Sequence, residues 1–239
     1  CYERMPWSND MYTENELTEM VNSLSVNTPE RYNLDYVDSI KDVLESALRK
    51  HKRLLAIRFD LRYPADHQYS TEEHDNPSYH RRMPANTMSR FIDSFKSKIS
   101  ADLKFKRRNG IRVYGTGVFY IWCCEKNISD NEHYHVSLLL NHDEYHTLGQ
   151  YGGDNLSGVI TDAWMSATGI TKRQSERCVY FSGEYHLKQN KEQFSYHLIR
   201  FFDAACYLAK KATKQYKFLN STYFDISIGR RVLDKEVEQ

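Results

Sequence analysis

The chain has 239 residues, 40% of them hydrophobic, with 18 tyrosines and 11 phenylalanines against ten glycines and five prolines. That supports one substantial core and excludes a linker, a collagen-like chain or a low-complexity protein. The formal charge is +1, but residues 1–46 hold ten acids and three bases, a balance of −7 that leaves +8 on the rest. An acidic front on a basic body is compatible with nucleic-acid binding by the body.

The five cysteines (Cys1, Cys123, Cys124, Cys178, Cys206) are odd in number and form no C-x-x-C pair. This favours a reducing compartment and argues against a structural zinc site. No charged stretch followed by an apolar run opens the chain, so no secretory signal is expected. Apolar runs such as Val118 to Cys124 are too short to span a bilayer. The expected setting is a reducing cytosol, with no membrane partner.

In chain order, residues 12–25 have weak helical periodicity. Residues 34–52 have a stronger one, with Leu34, Val37, Ile40, Val43, Leu44, Ala47 and Leu48 at three- and four-residue steps. Asn33 is a natural N-cap. Arg53 to Leu61 is an apolar strand ended by Pro64, and residues 62–85 are a long polar loop with His67, His74 and His80. A helix from Asn86 to about Arg108 has a basic end (Lys104, Lys106, Arg107, Arg108) and stops at Asn109-Gly110. Part of that charge complements the helix dipole; the excess suggests phosphate contact.

Gly117 to Lys126 and Glu132 to Leu140 form a hairpin. Residues 154–168 are a helix, Arg177 to Phe181 a short strand, Gln193 to about Lys214 a long helix, and Thr222 to Ile228 a last strand. This order indicates an α+β fold, a central antiparallel sheet of about five strands with packed helices. Residues 1–49 are expected to be an acidic helical arm and residues 50–239 the main domain.

The hairpin carries the first chemical motif. Residues two apart on a strand share a face, so His133 and His135 project together. If Glu125 lies opposite His133, residues Ile128, Ser129 and Asp130 close the turn. Directly opposed Cβ atoms are about 4.5–5.5 Å apart, so two imidazoles and a carboxylate converge, with Asp60 the next choice for the third ligand. That donor set suits Mn²⁺ or Mg²⁺ with open positions for water or phosphate oxygen. With ten histidines in the chain, a His-x-His pair alone is weak.

The second motif is Tyr207-Leu208-Ala209-Lys210-Lys211-Ala212-Thr213-Lys214. On one continuous helix, Tyr207, Lys210, Lys211 and Lys214 share a face. A tyrosine of ordinary pKa is only about 0.1% phenolate at pH 7, a handicap of roughly 4 kcal/mol. Lysine charge and a metal-polarised target can offset it.

Together, His133-Tyr134-His135 and Tyr207-Leu208-Ala209-Lys210 resemble the HUH endonucleases, the rolling-circle replication initiators and their relatives. Phe59-Asp60-Leu61-Arg62-Tyr63-Pro64 and His133 to Asn141 narrow the resemblance to the inovirus and prophage initiator-like group, of YagK/YfjJ type, over roughly residues 50–230. Many relatives have a second tyrosine four residues after the first; here that residue is Lys211, so this resembles a one-tyrosine enzyme.

The resemblance implies a ferredoxin- or RRM-like palm sheet with a divalent metal held by His133, His135 and Glu125. It implies attack of Tyr207 on a single-stranded DNA phosphate, helped by Lys210. Lys211, Lys214, Arg107 and Arg108 are expected backbone contacts. The expected outcome is nicking and joining through a 5′-phosphotyrosine link, initiating replication of a phage, prophage or plasmid. Single-stranded or hairpin origin DNA and host helicase and polymerase are the expected partners; no Gly-x-x-x-x-Gly-Lys-Ser/Thr loop is present for a helicase of its own. One alternative is a DNA-binding regulator that has kept the fold without nicking. A lesser one is a zinc hydrolase built on His142 and His146, four apart as on a helix, although Asp143 stands where that motif has glutamate.

Overall fold

A computed structural model describes residues 12–64, 86–126, 132–211 and 224–227. The centre is a strand with two different faces. In β1 (Arg53–Arg62) the residues Leu55, Ile57, Phe59 and Leu61 alternate with Leu54, Ala56, Arg58 and Asp60. Because strand side chains alternate in direction, each set belongs to a different core.

Before β1 come α1 (Glu14–Ser23) and α2 (Leu34–Lys50). After it come α3 (Thr87–Arg108), β2 (Phe119–Lys126), β3 (Glu132–Asn141), α4 (Leu156–Thr168), the single turn α5 (Lys172–Ser175), β4 (Val179–Lys188), α6 (Phe194–Cys206) and β5 (Phe224–Ile226). The five strands lie in the order β4-β1-β3-β2-β5, with antiparallel pairing throughout. This is the expected α+β sheet.

One face of the sheet packs Phe59, Ile57, Val136 and Leu138 against Phe91 and Phe95 of α3 and Trp164 of α4. The other packs Leu54, Ala56, Ile121, Cys123 and Leu139 against α1, α2 and α6, through Leu17, Val21, Leu44, Leu48, Phe201 and Phe202. The acidic helical segment therefore shares a core with the sheet. Cys123 and Cys124 lie in opposite cores, as packing residues on adjacent strand positions should.

Helix starts follow local chemistry. Thr13 and Glu16 form a reciprocal capping box on α1, and Asn33 and Asn155 accept backbone N–H bonds at α2 and α4. Gly169 ends α4 in the left-handed conformation, φ 80°.

Two elements differ from the sequence reading. β4 is twice the expected strand, because Gly183, Glu184, His186 and Lys188 lie on an edge strand that need not be apolar. The expected helix 193–214 ends at Cys206. A single 3₁₀ turn, Tyr207–Ala209, follows, and Lys210 is extended, at φ −64° and ψ 133°. There Lys210 bridges Tyr32, the Asn33 N–H donates to the Ala209 carbonyl (2.8 Å), and the Lys211 N–H donates to the Arg31 carbonyl (2.9 Å). Tyr207, Lys210 and Lys211 thus do not share one continuous helix, since backbone from residues 31–33 takes the bonds that would extend it. Lys214, the hairpin turn at Ile128–Asp130 and the loop histidines His67, His74 and His80 lie outside the described residues.

Candidate metal centre

Register builds the site. β2 pairs with β3 so that Glu125 faces His133 and Cys123 faces His135, and β1 pairs with β3 so that Asp60 faces His135. The expected partner of Glu125 is therefore the observed one. All three triad side chains stand on the face covered by α1, α2 and α6, at the sheet end where β3 begins.

Glu125, His133 and His135 are each more than nine-tenths buried. One carboxylate oxygen, Glu125 Oε2, lies 3.2 Å from His133 Nε2 and 3.0 Å from His135 Nε2. The two imidazole rings cross edge to face, 4.9 Å between centroids. A ligand atom from each residue falls within 4.8 Å of the other two, the only such trio of histidine, cysteine and carboxylate among the described residues.

Behind the triad lies a charged relay. Asp60 Oδ1 sits 2.6 Å from His135 Nδ1 and 2.6 Å from the Arg58 guanidinium. Arg58, also buried, donates to the Phe59 carbonyl at 2.6 Å. Opposite Arg58 the pairing with β4 shifts register, and Ser182 donates to the Arg58 carbonyl. Burial opposes charge on Asp60, but the His135 hydrogen bond and the Arg58 charge outweigh it and hold this carboxyl below the usual range. Burial likewise opposes the His135 imidazolium, yet the Asp60 and Glu125 carboxylates prevail and raise its pKa.

These contacts suit a divalent ion. A carboxylate on Nδ1 is the common outer-shell partner of a metal-binding histidine, and it leaves the Nε2 lone pair to the metal. His135 Nε2 is buried and has the Glu125 carboxylate 3.0 Å away, so a cation there would be held by the nitrogen and the carboxylate together.

Tyr207 stands beside the triad. Its ring meets His135 edge to face at 5.1 Å between centroids. Arg58 lies 5.9 Å from the ring centroid and Lys210 Nζ 4.6 Å. Burial, followed by the nearby Glu125 and Asp60 charges, raises the Tyr207 pKa; Arg58 works the other way.

The structure thus gathers Glu125, His133, His135, Tyr207 and Lys210 in one place. It does not bring Arg107 and Arg108 there. They are exposed at the end of α3, which packs on the opposite face, and the neighbouring Lys106 is tied to Glu144 beyond the far end of β3. Lys211 is exposed just past Lys210. Arg58 is the residue that sequence reasoning missed, and Asp60 was assigned only as a spare ligand. The signal was there: two charges two apart in an otherwise apolar strand share one face and need a buried partner.

Fold and site together define a class: an antiparallel α+β sheet carrying a buried His-x-His and carboxylate cluster able to hold a metal ion, with a tyrosine alongside. The chain belongs to the YagK/YfjJ C-terminal domain family, whose profile matches residues 13–223. The match takes in α1 and α2, which the sequence reading left outside the resemblance. It is similar to two proteins of Escherichia coli (strain K12). To "Uncharacterized protein YagK" it is 33% identical over 184 residues, 76% of this chain and 86% of that protein. To "Uncharacterized protein YfjJ" it is 31% identical over 185 residues, 75% and 87% respectively. No solved structure matches the chain significantly. Among the described residues, no helix is long and apolar enough to cross a membrane.

Proposed function

We propose that this protein nicks and rejoins single-stranded DNA, with Tyr207 as nucleophile and Glu125, His133 and His135 as ligands of Mn²⁺ or Mg²⁺, in the manner of an HUH endonuclease. The observation that carries this reading is the packing of Tyr207 against the metal ligand His135. A tyrosine brought from the end of α6 to a metal centre on β2 and β3 is the pairing that phosphodiester transfer needs.

The bound cation supplies a grip on the phosphate oxygens and makes phosphorus more electrophilic. The protein supplies the rest. Asp60 fixes the His135 tautomer, and Arg58 neutralises Asp60. Burial, and after it the Glu125 and Asp60 charges, favour the phenol form of Tyr207, so positive charge beside it is needed to favour the phenolate. Lys210 offers its charge to the phenolate or the phosphate. The Tyr207 Oη–P bond forms as the P–O3′ bond breaks; the phenol gives up its proton to solvent and the departing 3′ oxygen takes one up from solvent, so no net proton is consumed. The strand is left with a free 3′-hydroxyl and a 5′-phosphotyrosine that conserves the bond for rejoining. Replication initiation on a phage, prophage or plasmid, with host helicase and polymerase, is the setting this chemistry suits.

The test is incubation with a library of single-stranded and hairpin oligonucleotides plus Mn²⁺, followed by peptide mass analysis. A nucleotide adduct on the Tyr207 peptide is expected, together with its loss in Tyr207→Phe while DNA binding persists. An adduct that survives in Tyr207→Phe sinks this nucleophile. Sequence-specific DNA binding with no cleavage under any metal points instead to a regulator on the same fold.

A further inference from the structure

A second histidine cluster lies at the other end of the sheet. β3 ends at Asn141, paired with Leu54, whereas the triad pairs around residues 60–62. Eight strand residues at about 3.3 Å each put the two ends roughly 26 Å apart. A cavity of about 650 Å³ opens there, lined by His142 and His146 after β3, His186 of β4 and His197 of α6. The His142 ring lies 5.3 Å from both the His146 and the His186 ring, centroid to centroid.

Two ring nitrogens in this cluster are stranded. His142 is 8% exposed, and its Nδ1 is buried with no hydrogen-bond partner; His186 Nδ1 is buried in the same condition. Buried polar atoms are nearly always satisfied in native proteins, so two exceptions on adjacent rings beside one cavity ask for a ligand. His186 indicates which kind. Its Nε2 lies 3.3 Å from Glu184 Oε1. A carboxylate there holds the ring proton on Nε2 and leaves Nδ1 as a lone-pair donor, the outer-shell arrangement of a metal-binding histidine. A lone pair repels an anion and attracts a Lewis acid. Two lysines and one carboxylate, Lys188, Lys191 and Glu192, also line the cavity, with Glu184 beside His186.

We infer that His142, His186 and His146 form a second metal site, separate from the triad, for a borderline transition ion such as Zn²⁺. All-imidazole donors select such ions over Mg²⁺ or Mn²⁺. The three rings are not yet closed to coordination distance, since among the described residues the Glu125 trio alone meets that geometry. The exposed His146 is the arm that closes. A bound ion ties the chain after β3 to the edge strand β4, so its effect is to fasten that end of the sheet. The site does not depend on the nicking reading, because it shares no residue with it.

The test uses the full chain with Zn²⁺ alone. The triad is first disabled with H133A/H135A, and calorimetry and metal analysis after gel filtration then count the remaining equivalents. One equivalent is expected to remain. Adding His186→Ala should abolish it with the circular dichroism spectrum unchanged, and adding His146→Ala instead should weaken it on the order of tenfold or more. Co²⁺ in place of Zn²⁺ should give a visible ligand-field spectrum in H133A/H135A that His146→Ala removes. If H133A/H135A retains no Zn²⁺, or if its equivalent survives both His186→Ala and His146→Ala, the second site does not exist.

Discussion

Asp60 decides what His135 can do. With its oxygen 2.6 Å from Nδ1, a neutral imidazole keeps its lone pair on Nε2, free to bind a cation. Asp60→Asn keeps the shape but loses the charge, and the amide can present a donor to Nδ1 and so favour the wrong tautomer. Mn²⁺ affinity should fall about tenfold to a hundredfold, read by calorimetry; an unchanged affinity would show that Asp60 does not orient the ring. Protons compete at the same nitrogen. The raised His135 pKa means that the imidazolium persists above its ordinary value of 6.5. In the metal-free protein that protonation stabilises the fold below the ordinary value, and the contribution is lost as pH rises through the raised one. Metal binding runs the opposite way, since it needs the neutral ring. Mn²⁺ affinity should therefore rise with pH across that window and decline from a higher pH than a simple imidazole would dictate. His135→Gln should flatten the profile; a flat profile in the unaltered protein would contradict the raised value.

At the scale of elements, α2 and the end of α6 show where local reading works and where it stops. The register of β2 with β3 was legible, because strand alternation and turn length set which side chains face each other. So was α2, whose apolar residues recur on one face. The end of α6 was not, because nothing local stops a helix running through Leu208, Ala209 and Lys210. It stops because residues 31–33 bond to residues 209–211, and a contact between segments so distant in sequence has no local signature. The same contact fastens the Tyr207 turn to the start of α2, so the position of the proposed nucleophile depends on the N-terminal helices. Leu44 of α2 is fully buried in the core it shares with Ala56 and Phe201. Leu44→Ala should cost about 2–5 kcal/mol, measured by denaturant unfolding. Because the helix and sheet share that core, the loss should shift one cooperative transition followed by both far-ultraviolet and near-ultraviolet signals. Two separated transitions, only one of them shifted, would mean that the helices unfold as an independent unit.

Across the whole molecule, charge that is separated along the chain becomes charge separated in space. The basic end of α3 is conspicuous in the sequence, and its run of lysines and arginines suggested a phosphate track serving the triad. The fold sends it elsewhere: α3 lies over the Phe59 and Leu138 face, and its end is at the far side of β3. Only three-dimensional packing tells which basic residues share a surface with the centre, and of those expected to touch DNA only Lys211 has a described position next to it. Salt dependence separates the two surfaces. Each phosphate neutralised on a single strand contributes about 0.7 to the slope of log affinity against log salt. If the strand is held on the triad face, Lys211→Ala should reduce that slope by about 0.7. R107A/R108A should leave the slope unchanged for an oligonucleotide just long enough to fill the centre. Fluorescence anisotropy over a salt series with such an oligonucleotide reads both. A slope reduced by about 1.4 in R107A/R108A would mean that the strand wraps round the edge of the sheet to the opposite face, making α3 part of the DNA path after all.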